Sequence, residues 1–258
     1  MPDRGPANVP VKSVETTLAI IEALQETNGV ELTALADRVG RSKSTVHNHL
    51  QTLERHGYVV RDSDVYRLGL KFLDHGGHAR AQTPSAHLIR PKIREIAEST
   101  EEICQFVVEQ AGTGIVLFQE RGDDAVETQT RIGTSVALNG VAGGKALLAH
   151  LPDQRVDAIL AERGLPALTE ETITDPETLR ERLDAVRDRG YAINAGEQIR
   201  GMRAISVPIR TTEGDLLGAI SVAGPSYRLE ESDHERAIVD DLLSVANELE
   251  LNVTYSRF

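Results

Sequence analysis

Thr33-Ala-Leu-Ala-Asp-Arg-Val-Gly-Arg-Ser-Lys-Ser-Thr-Val-His-Asn-His-Leu-Gln-Thr-Leu-Glu-Arg-His-Gly-Tyr58 reads as two short helices joined by a tight turn. In the first, Thr33 is placed to cap, and Leu35, Ala36 and Val39 share the inner side. Gly40 supplies the turn, because a residue without Cβ takes positive φ at no steric cost. Ser42 suits the N-cap of the second helix, whose inward residues Val46, Leu50 and Leu53 recur at i, i+4 and i+7. At about 100° per residue, Ser44, Asn48, Gln51 and Arg55 point the other way, with Thr45 and His47 on the flanks. All of these can exchange hydrogen bonds with base edges. A helical hairpin with a solvated polar face would look much the same, so the next residues decide. Tyr58-Val59-Val60-Arg61 and Tyr66-Arg67-Leu68-Gly69 flank the polar turn Asp62-Ser63-Asp64-Val65, which makes a β-hairpin. The whole is the plan of a winged helix-turn-helix, which lays its second helix in a DNA major groove. Arg61 and Arg67 sit on the wing, where phosphates would lie.

Charge is distributed to suit this plan. The chain has 258 residues and a formal net charge of −12, a sign that disfavours polyanions. Residues 1–83, however, hold 10 Lys+Arg and 10 Asp+Glu, so the acidic surplus belongs entirely to the remainder, with 18 basic and 30 acidic groups. Within 38–71 seven basic residues (Arg38, Arg41, Lys43, Arg55, Arg61, Arg67, Lys71) face three acidic ones (Glu54, Asp62, Asp64). So modest a patch implies that dimerisation doubles the contacts. The use of 5 Lys against 23 Arg, beside the acid surplus, fits a high-salt cytosol and fits a GC-rich genome equally well. One cysteine, Cys104, rules out a disulfide framework and reads as a small core residue. No apolar run approaches the roughly 20 residues of a membrane span, and the start of the chain lacks a secretory signal. A cytoplasmic protein is expected.

The organisation follows from the apolar periods. Residues 1–10 are expected to be a disordered tail, 11–70 the winged head, 71–86 a linker helix and 87–258 a second domain. A first helix over 13–27 is capped by Ser13 and lined by Val14, Leu18 and Ile21. The trailing segment begins at Leu70-Lys71-Phe72-Leu73, Gly76-Gly77 loosens it, and Thr83-Pro84-Ser85 marks the boundary. A helix runs from His87 to Thr100, followed by strands at 103–109 and 114–118, weaker strands at 126–132 and 135–138, and a small-residue helix over 141–151. Asp175 caps a helix that opens on Pro176 and closes at Gly190. Strands at 204–209 and 216–222 follow, joined by Thr212-Glu213-Gly214-Asp215. Ser232 and Glu235 form a capping box for a long last helix carrying Ile238, Leu242, Val245, Leu249 and Val253. This mixture is α+β.

Several stretches together resemble one known family. In the head these are Ser13-Val14-Glu15, Lys43-Ser44-Thr45-Val46-His47, Leu53-Glu54-Arg55-His56-Gly57-Tyr58 and Tyr66-Arg67-Leu68-Gly69. In the second domain they are Gly143-Gly144-Lys145-Ala146-Leu147-Leu148-Ala149, Thr172-Ile173-Thr174-Asp175, Arg189-Gly190-Tyr191-Ala192, Gly201-Met202-Arg203, Val207-Pro208-Ile209 and Ser221-Val222-Ala223-Gly224-Pro225. The resemblance is to the IclR-type transcriptional regulators, and it covers nearly everything beyond residue 12 in unbroken order. It implies a GAF-like α/β effector domain, a homodimer or dimer of dimers, and a repressor or activator of a catabolic operon on double-stranded DNA. The DNA-binding residues are then expected among Arg41, Ser42, Lys43, Ser44, Thr45, His47, Asn48, Gln51, Arg55, Arg61 and Arg67. The resemblance further implies an effector pocket at Thr128, Ala142, Gly143, Asn194, Ala204 and Ser221. Many members carry an acid at the position of Asn194, cysteine at that of Ala204 and an apolar residue at that of Thr128. With Thr128, Asn194 and Ser221 in place, a hydroxylated carboxylate fits better than a plain keto acid.

Other chemistries find little support. Gly140 to Lys145 is not a P-loop, since three residues separate Gly140 from Gly144 where four are needed, and Ala146 replaces the metal-binding Ser or Thr. The amides opening the 141–151 helix are placed to hold an anion, or else the glycines only permit close packing. His47 and His49 are two apart and poorly placed to share a metal. His75 and His78 have the spacing but no carboxylate or cysteine beside His78. No Gly-x-Ser-x-Gly elbow occurs and no acid–base pair stands out, so no catalytic residue, metal or cofactor is expected. An enzyme with an accessory head and a constitutive architectural DNA binder are the alternatives.

Overall fold

The computed structural model describes residues 11–255, so the tail expected over 1–10 lies outside the described residues. The chain divides into two compact units between Gln82 and Thr83.

The first unit runs α1 (Lys12–Gln25), β1 (Val30–Glu31), α2 (Leu32–Val39), α3 (Lys43–Arg55), β2 (Val59–Asp62), β3 (Val65–Leu68) and α4 (Lys71–Ala81). Its strands form an antiparallel sheet of order β1-β3-β2. Gly40 ends α2 in the left-handed region at φ 66°, and Ser42 accepts the Thr45 amide at 3.2 Å to open α3, both as the sequence implies. Two other caps differ. α1 starts at Lys12 and α2 at Leu32, with no side-chain cap bond at either, because the chain passes directly from β1 into α2 and leaves Thr33 inside the helix. α1 is also rotated from the expected face. It buries Thr16, Ile20, Ala23 and Leu24 against Leu35 and Leu50, while Val14 and Leu18 are each 53% exposed. The helix carries apolar residues on two sides; the side with Ile20 and Leu24 is buried in the head core, and of the expected face only Ile21 packs against it, partly buried.

α4 stops ahead of Pro84 and includes Gly76 and Gly77 without a break. None of its residues is buried; Phe72 and His75 pack on Tyr58, with ring centroids 5.1 and 5.6 Å away. The Tyr58 hydroxyl and His75 Nε2 are 2.6 Å apart, and His78 Nε2 meets Gln82, so both histidines have protein partners.

The second unit begins with α5 (Ala86–Thr100), β4 (Ile103–Gln110), β5 (Thr113–Arg121) and β6 (Ser135–Val136). After a single tight turn at Leu138–Gly140 come α6 (Ala142–His150), α7 (Asp153–Arg163), α8 (Pro176–Arg189), β7 (Ala192–Ala195), β8 (Met202–Arg210), β9 (Leu216–Pro225), α9 (Ser226–Leu229) and α10 (Ser232–Tyr255). The antiparallel sheet has the order β6-β5-β4-β9-β8-β7. Alternation along the strands divides two cores. Cys104, Phe106, Ile205, Val207, Ile220 and Val222 face α5 and α10, whereas Val107, Val116 and Ala219 face α6 and α8. The architecture is α+β, a winged head and a GAF-like domain.

α6 lies close on its surroundings because it is built from small residues. A Cβ at Gly144 would stand 2.2 Å from the Leu138 carbonyl oxygen, so only glycine permits this approach. No strand forms over 126–132. Val126, Thr128, Thr130 and Ile132 alternate along it, but the place beside Val116 is taken by the turn at Gly133 and Thr134. α7 and β7 went unread in the sequence, because α7 buries only Val156 and Ile159 and β7 is a four-residue edge strand. Ser232 begins α10, but the Glu235 carboxylate reaches Arg203 at 2.7 Å on β8 instead of closing a capping box. No helix of the described residues is long and apolar enough to cross a membrane.

Candidate DNA interface and effector pocket

α3 is held by Val46, Leu50 and Leu53, all buried, and by a hydrogen bond between His49 Nδ1 and Thr17 on α1, 2.8 Å apart. The opposite face carries Ser44, Asn48, Gln51 and Arg55, all exposed, with Thr45 and His47 half-buried beside them. At the helix start the hydroxyls of Ser44 and Thr45 lie 3.0 and 2.8 Å from that of Ser42. Arg41 bonds the Gly40 carbonyl, and the Lys43 side chain is exposed. The side chains of Asn48 and Gln51 make no hydrogen bond among the described residues, which leaves two amides able to pair with adenine.

The wing separates its two arginines. Arg61 is paired across the ladder with Tyr66, and Arg67 with Val60, so the two project from opposite faces of the hairpin. Arg61 is bonded at 2.7 Å to both the Ser63 carbonyl and Asp64, and its guanidinium lies 5.3 Å from the Tyr66 ring centre. Arg67 is looser, with Asp62 at 3.8 Å, and the Nε–Cζ part of its guanidinium lies beside Gly29. Arg67 is therefore the freer phosphate ligand. Replacing it by alanine is expected to weaken all DNA sequences about equally and to lower the salt slope by ~1 per subunit. Titrations at several salt concentrations check this, and an unchanged slope would assign Arg67 to packing against Gly29.

In the second unit the structure brings the carried-over pocket residues together in two adjoining chambers. The inner one is lined by Ala142, Gly143, Asn194, Ala204 and Ser221, with Gln105, Val107 and Val116. The outer one is lined by Thr128, Thr130, Gln198 and Met202. Gln105, Asn194, Gln198, Ala204 and Ala223 border both. Each encloses about 30 Å³, near one water molecule's share of the liquid. The first residues of α6 form part of the inner wall, and the first N–H groups of any helix lack intrahelical acceptors. Ser221 is 5% exposed, and its side chain makes no hydrogen bond among the described residues. Asn194 is more committed. Its Nδ2 donates to the Gly140 carbonyl at 2.5 Å, and its Oδ1 accepts from the Glu197 amide at 3.1 Å.

Behind this wall lies a charge pair that sequence reading passed over. Lys145, fully buried on α6, bonds both carboxylate oxygens of Glu197, itself 7% exposed. Burial pulls the Lys145 ammonium below its ordinary pKa, and the Glu197 charge opposes that. Thr172 donates to the Glu197 carbonyl at 2.6 Å, and Thr169 to that of Gly196 at 2.8 Å. Gln105 and Gln198 were missed as lining residues as well. Gln105 was legible as a lone polar side chain in the apolar run 103–108.

A DNA-reading head on the same chain as a domain enclosing a polar-lined cavity defines a ligand-responsive transcription regulator. Residues 13–63 match the IclR helix-turn-helix domain, and residues 79–251 match the C-terminal domain of bacterial IclR transcriptional regulators. The chain is 34% identical to the "Probable HTH-type transcriptional regulator ArcR" of Halobacterium salinarum, over 94% of each chain. Among solved structures, it superposes on the IclR of Thermotoga maritima with a TM-score of 0.78 at 23% identity, covering 95% of this chain and 99% of that one. An IclR homologue from Microbacterium hydrocarbonoxydans, complexed with 4-hydroxybenzoate, gives 0.77 at 22% identity and covers 95% and 99%. The chain belongs to the IclR family: a DNA-binding transcriptional regulator with a C-terminal effector-binding domain, and not an enzyme.

Proposed function

We propose that this regulator controls a catabolic operon in the cytoplasm and is switched by a small hydroxylated carboxylate held in the inner chamber. The observation that carries the reading is the Ser221 side chain, without a hydrogen-bond partner among the described residues, in the same cavity wall as Ala142 and Gly143. A carboxylate there meets the positive end of the α6 dipole, and a hydroxyl on the ligand supplies the partner that Ser221 lacks. The 4-hydroxybenzoate of the Microbacterium homologue, which shares only the fold with this chain, is itself a hydroxylated carboxylate.

On DNA, Ser44, Thr45, His47, Asn48 and Gln51 read bases. Arg41, Ser42, Lys43, Arg55, Arg61 and Arg67 position the head on the backbone. The protein acts as a homodimer or a dimer of dimers, supported by the apolar side chains the head leaves uncovered: Val14 and Leu18 on α1, and Leu70 and Leu73 at the start of α4, at 78% and 70% exposure. Sedimentation is expected to show a dimer or tetramer, which Leu18→Glu with Leu73→Glu shifts toward monomer; an unshifted distribution would place the interface elsewhere.

The effector site is tested by titration calorimetry on the full chain, after thermal-shift screening of hydroxylated acids. Ser221→Ala is expected to weaken binding about tenfold, the worth of one buried hydrogen bond. Asn194→Ala should do so through loss of the Gly140 and Glu197 contacts. Both variants should keep ligand-free operator affinity. Normal ligand affinity in both would move the site elsewhere.

A further inference from the structure

The outer chamber differs in chemistry from the inner one, and the difference selects the ligand's far end. The Thr128 Oγ1 atom is buried and has no hydrogen-bond partner. An orphaned hydroxyl in a cavity wall costs free energy unless something fills the cavity and bonds it. Gln198, whose amide makes no bond among the described residues, and Thr130 stand in the same wall. The one ionisable residue lining this chamber is Arg203. Its charge is met by Glu235 at 2.7 Å and Glu230 at 3.5 Å, while its buried Nε–H has no partner and is left to an acceptor such as a hydroxyl oxygen. A second carboxylate arriving here would add to the two that already face Arg203. An uncharged hydroxyl, able both to donate and to accept, satisfies Thr128 without that cost.

The walls also differ in how firmly they are held. The stretch bearing Asn194 and Gln198 is pinned by the buried Lys145–Glu197 pair and by Thr169 and Thr172. The stretch bearing Thr128 and Thr130 is irregular, and side chains hold its backbone at Asp124, 3.0 Å from Arg228, and at Thr128, 3.3 Å from Arg121. With only about 30 Å³ in each chamber, a ligand spanning both has to displace a wall, and the one carrying Thr128 yields first.

We propose that Thr128 is the specificity-determining residue of the pocket, and that the two chambers together select a monocarboxylate whose far end carries an uncharged hydroxyl. The inference rests on the reading that the inner chamber takes the carboxylate. A matched series separates the two: ω-hydroxy acids of four to six carbons, the corresponding acids ending in methyl, and the corresponding dicarboxylates, each titrated into the full-length protein. The best ω-hydroxy acid is expected to bind about tenfold tighter than its methyl and dicarboxylate counterparts. In Thr128→Val, which keeps the shape, that preference over methyl should vanish while methyl-ended binding is kept. Thr128→Ser should restore it. A dicarboxylate that binds tightest overturns the proposal and assigns the far end to Arg203. Persistence of the hydroxyl preference in Thr128→Val also overturns it, while leaving the carboxylate reading in place. Failure of every acid to bind removes the carboxylate reading and this inference together.

Discussion

Lys145→Met is expected to destabilise the second unit by about 3–5 kcal/mol, the cost of leaving one partner of a buried ion pair without the other. The Glu197 carboxylate would remain at 7% exposure with its main cation gone. A carboxylate so placed has three options: to take up a proton, to recruit water, or to drag its loop outward. Each disturbs the wall between Asn194 and Gln198, so ligand binding should fall with stability. Lys145→Met combined with Glu197→Leu removes the stranded charge and should recover much of the lost stability, since hydrophobic replacement of a whole buried pair is often neutral. Calorimetric unfolding of the two variants checks this. Equal destabilisation by the single and the double substitution would mean that Lys145 acts by packing and that the pair contributes little. Operator binding without ligand should survive in both, because the head carries its own core around Leu35, Leu50 and Tyr66.

On the head, Asn48→Ala is expected to cost ~1–3 kcal/mol on the specific operator, about 5- to 150-fold, with little change on random DNA. Asn48 is exposed at the centre of α3, and its backbone carbonyl, not its amide, is engaged by Thr52 at 3.0 Å. The amide is thus free for a bidentate pair with adenine. Competition titrations with operator and scrambled duplexes give the ratio directly. An unchanged ratio would remove Asn48 from base readout and leave Gln51 and the helix-start hydroxyls to carry it. The contrast with Arg67, whose loss should weaken every sequence alike, separates reading from positioning.

Much of this was legible from the chain alone, where local rules and packing agree. Ser42, Gly40, Asp175 and Gly190 cap or end their helices as their chemistry dictates. The apolar periods of α3, α8 and α10 name their buried faces. Reading failed where two answers were locally equivalent. α1 offers apolar residues on two sides, and tertiary contact with Leu35 chose Ile20 and Leu24 over Val14 and Leu18. Glu235 had a plausible cap role, but Arg203 arrives from β8, far away in sequence, and takes its carboxylate. The run over 126–132 alternates Val126, Thr128, Thr130 and Ile132 as a strand would, yet the turn at Gly133 and Thr134 takes the place beside Val116.

The pocket shows the same division. Family resemblance pointed to Thr128, Ala142, Gly143, Asn194, Ala204 and Ser221 as candidates, and all six line two adjoining chambers. What holds them in place leaves no local pattern along the chain. Lys145 and Glu197 are 52 positions apart, and neither stands in a pattern that announces a pair. The same holds for the tie from Asn194 to the Gly140 carbonyl, 54 positions away, which only the fold brings within reach.

The most direct measurement is selection of duplexes from random DNA by the full-length protein, repeated with and without the acid that gives the largest thermal shift. A ligand-switched regulator enriches a two-half-site sequence and binds it at least about 10³-fold tighter than random DNA at physiological salt. The acid then changes that operator affinity about fivefold or more, the size of an ordinary coupling between two sites. Equal affinity for selected and random DNA, or an operator affinity untouched by every acid that binds the second unit, would contradict it.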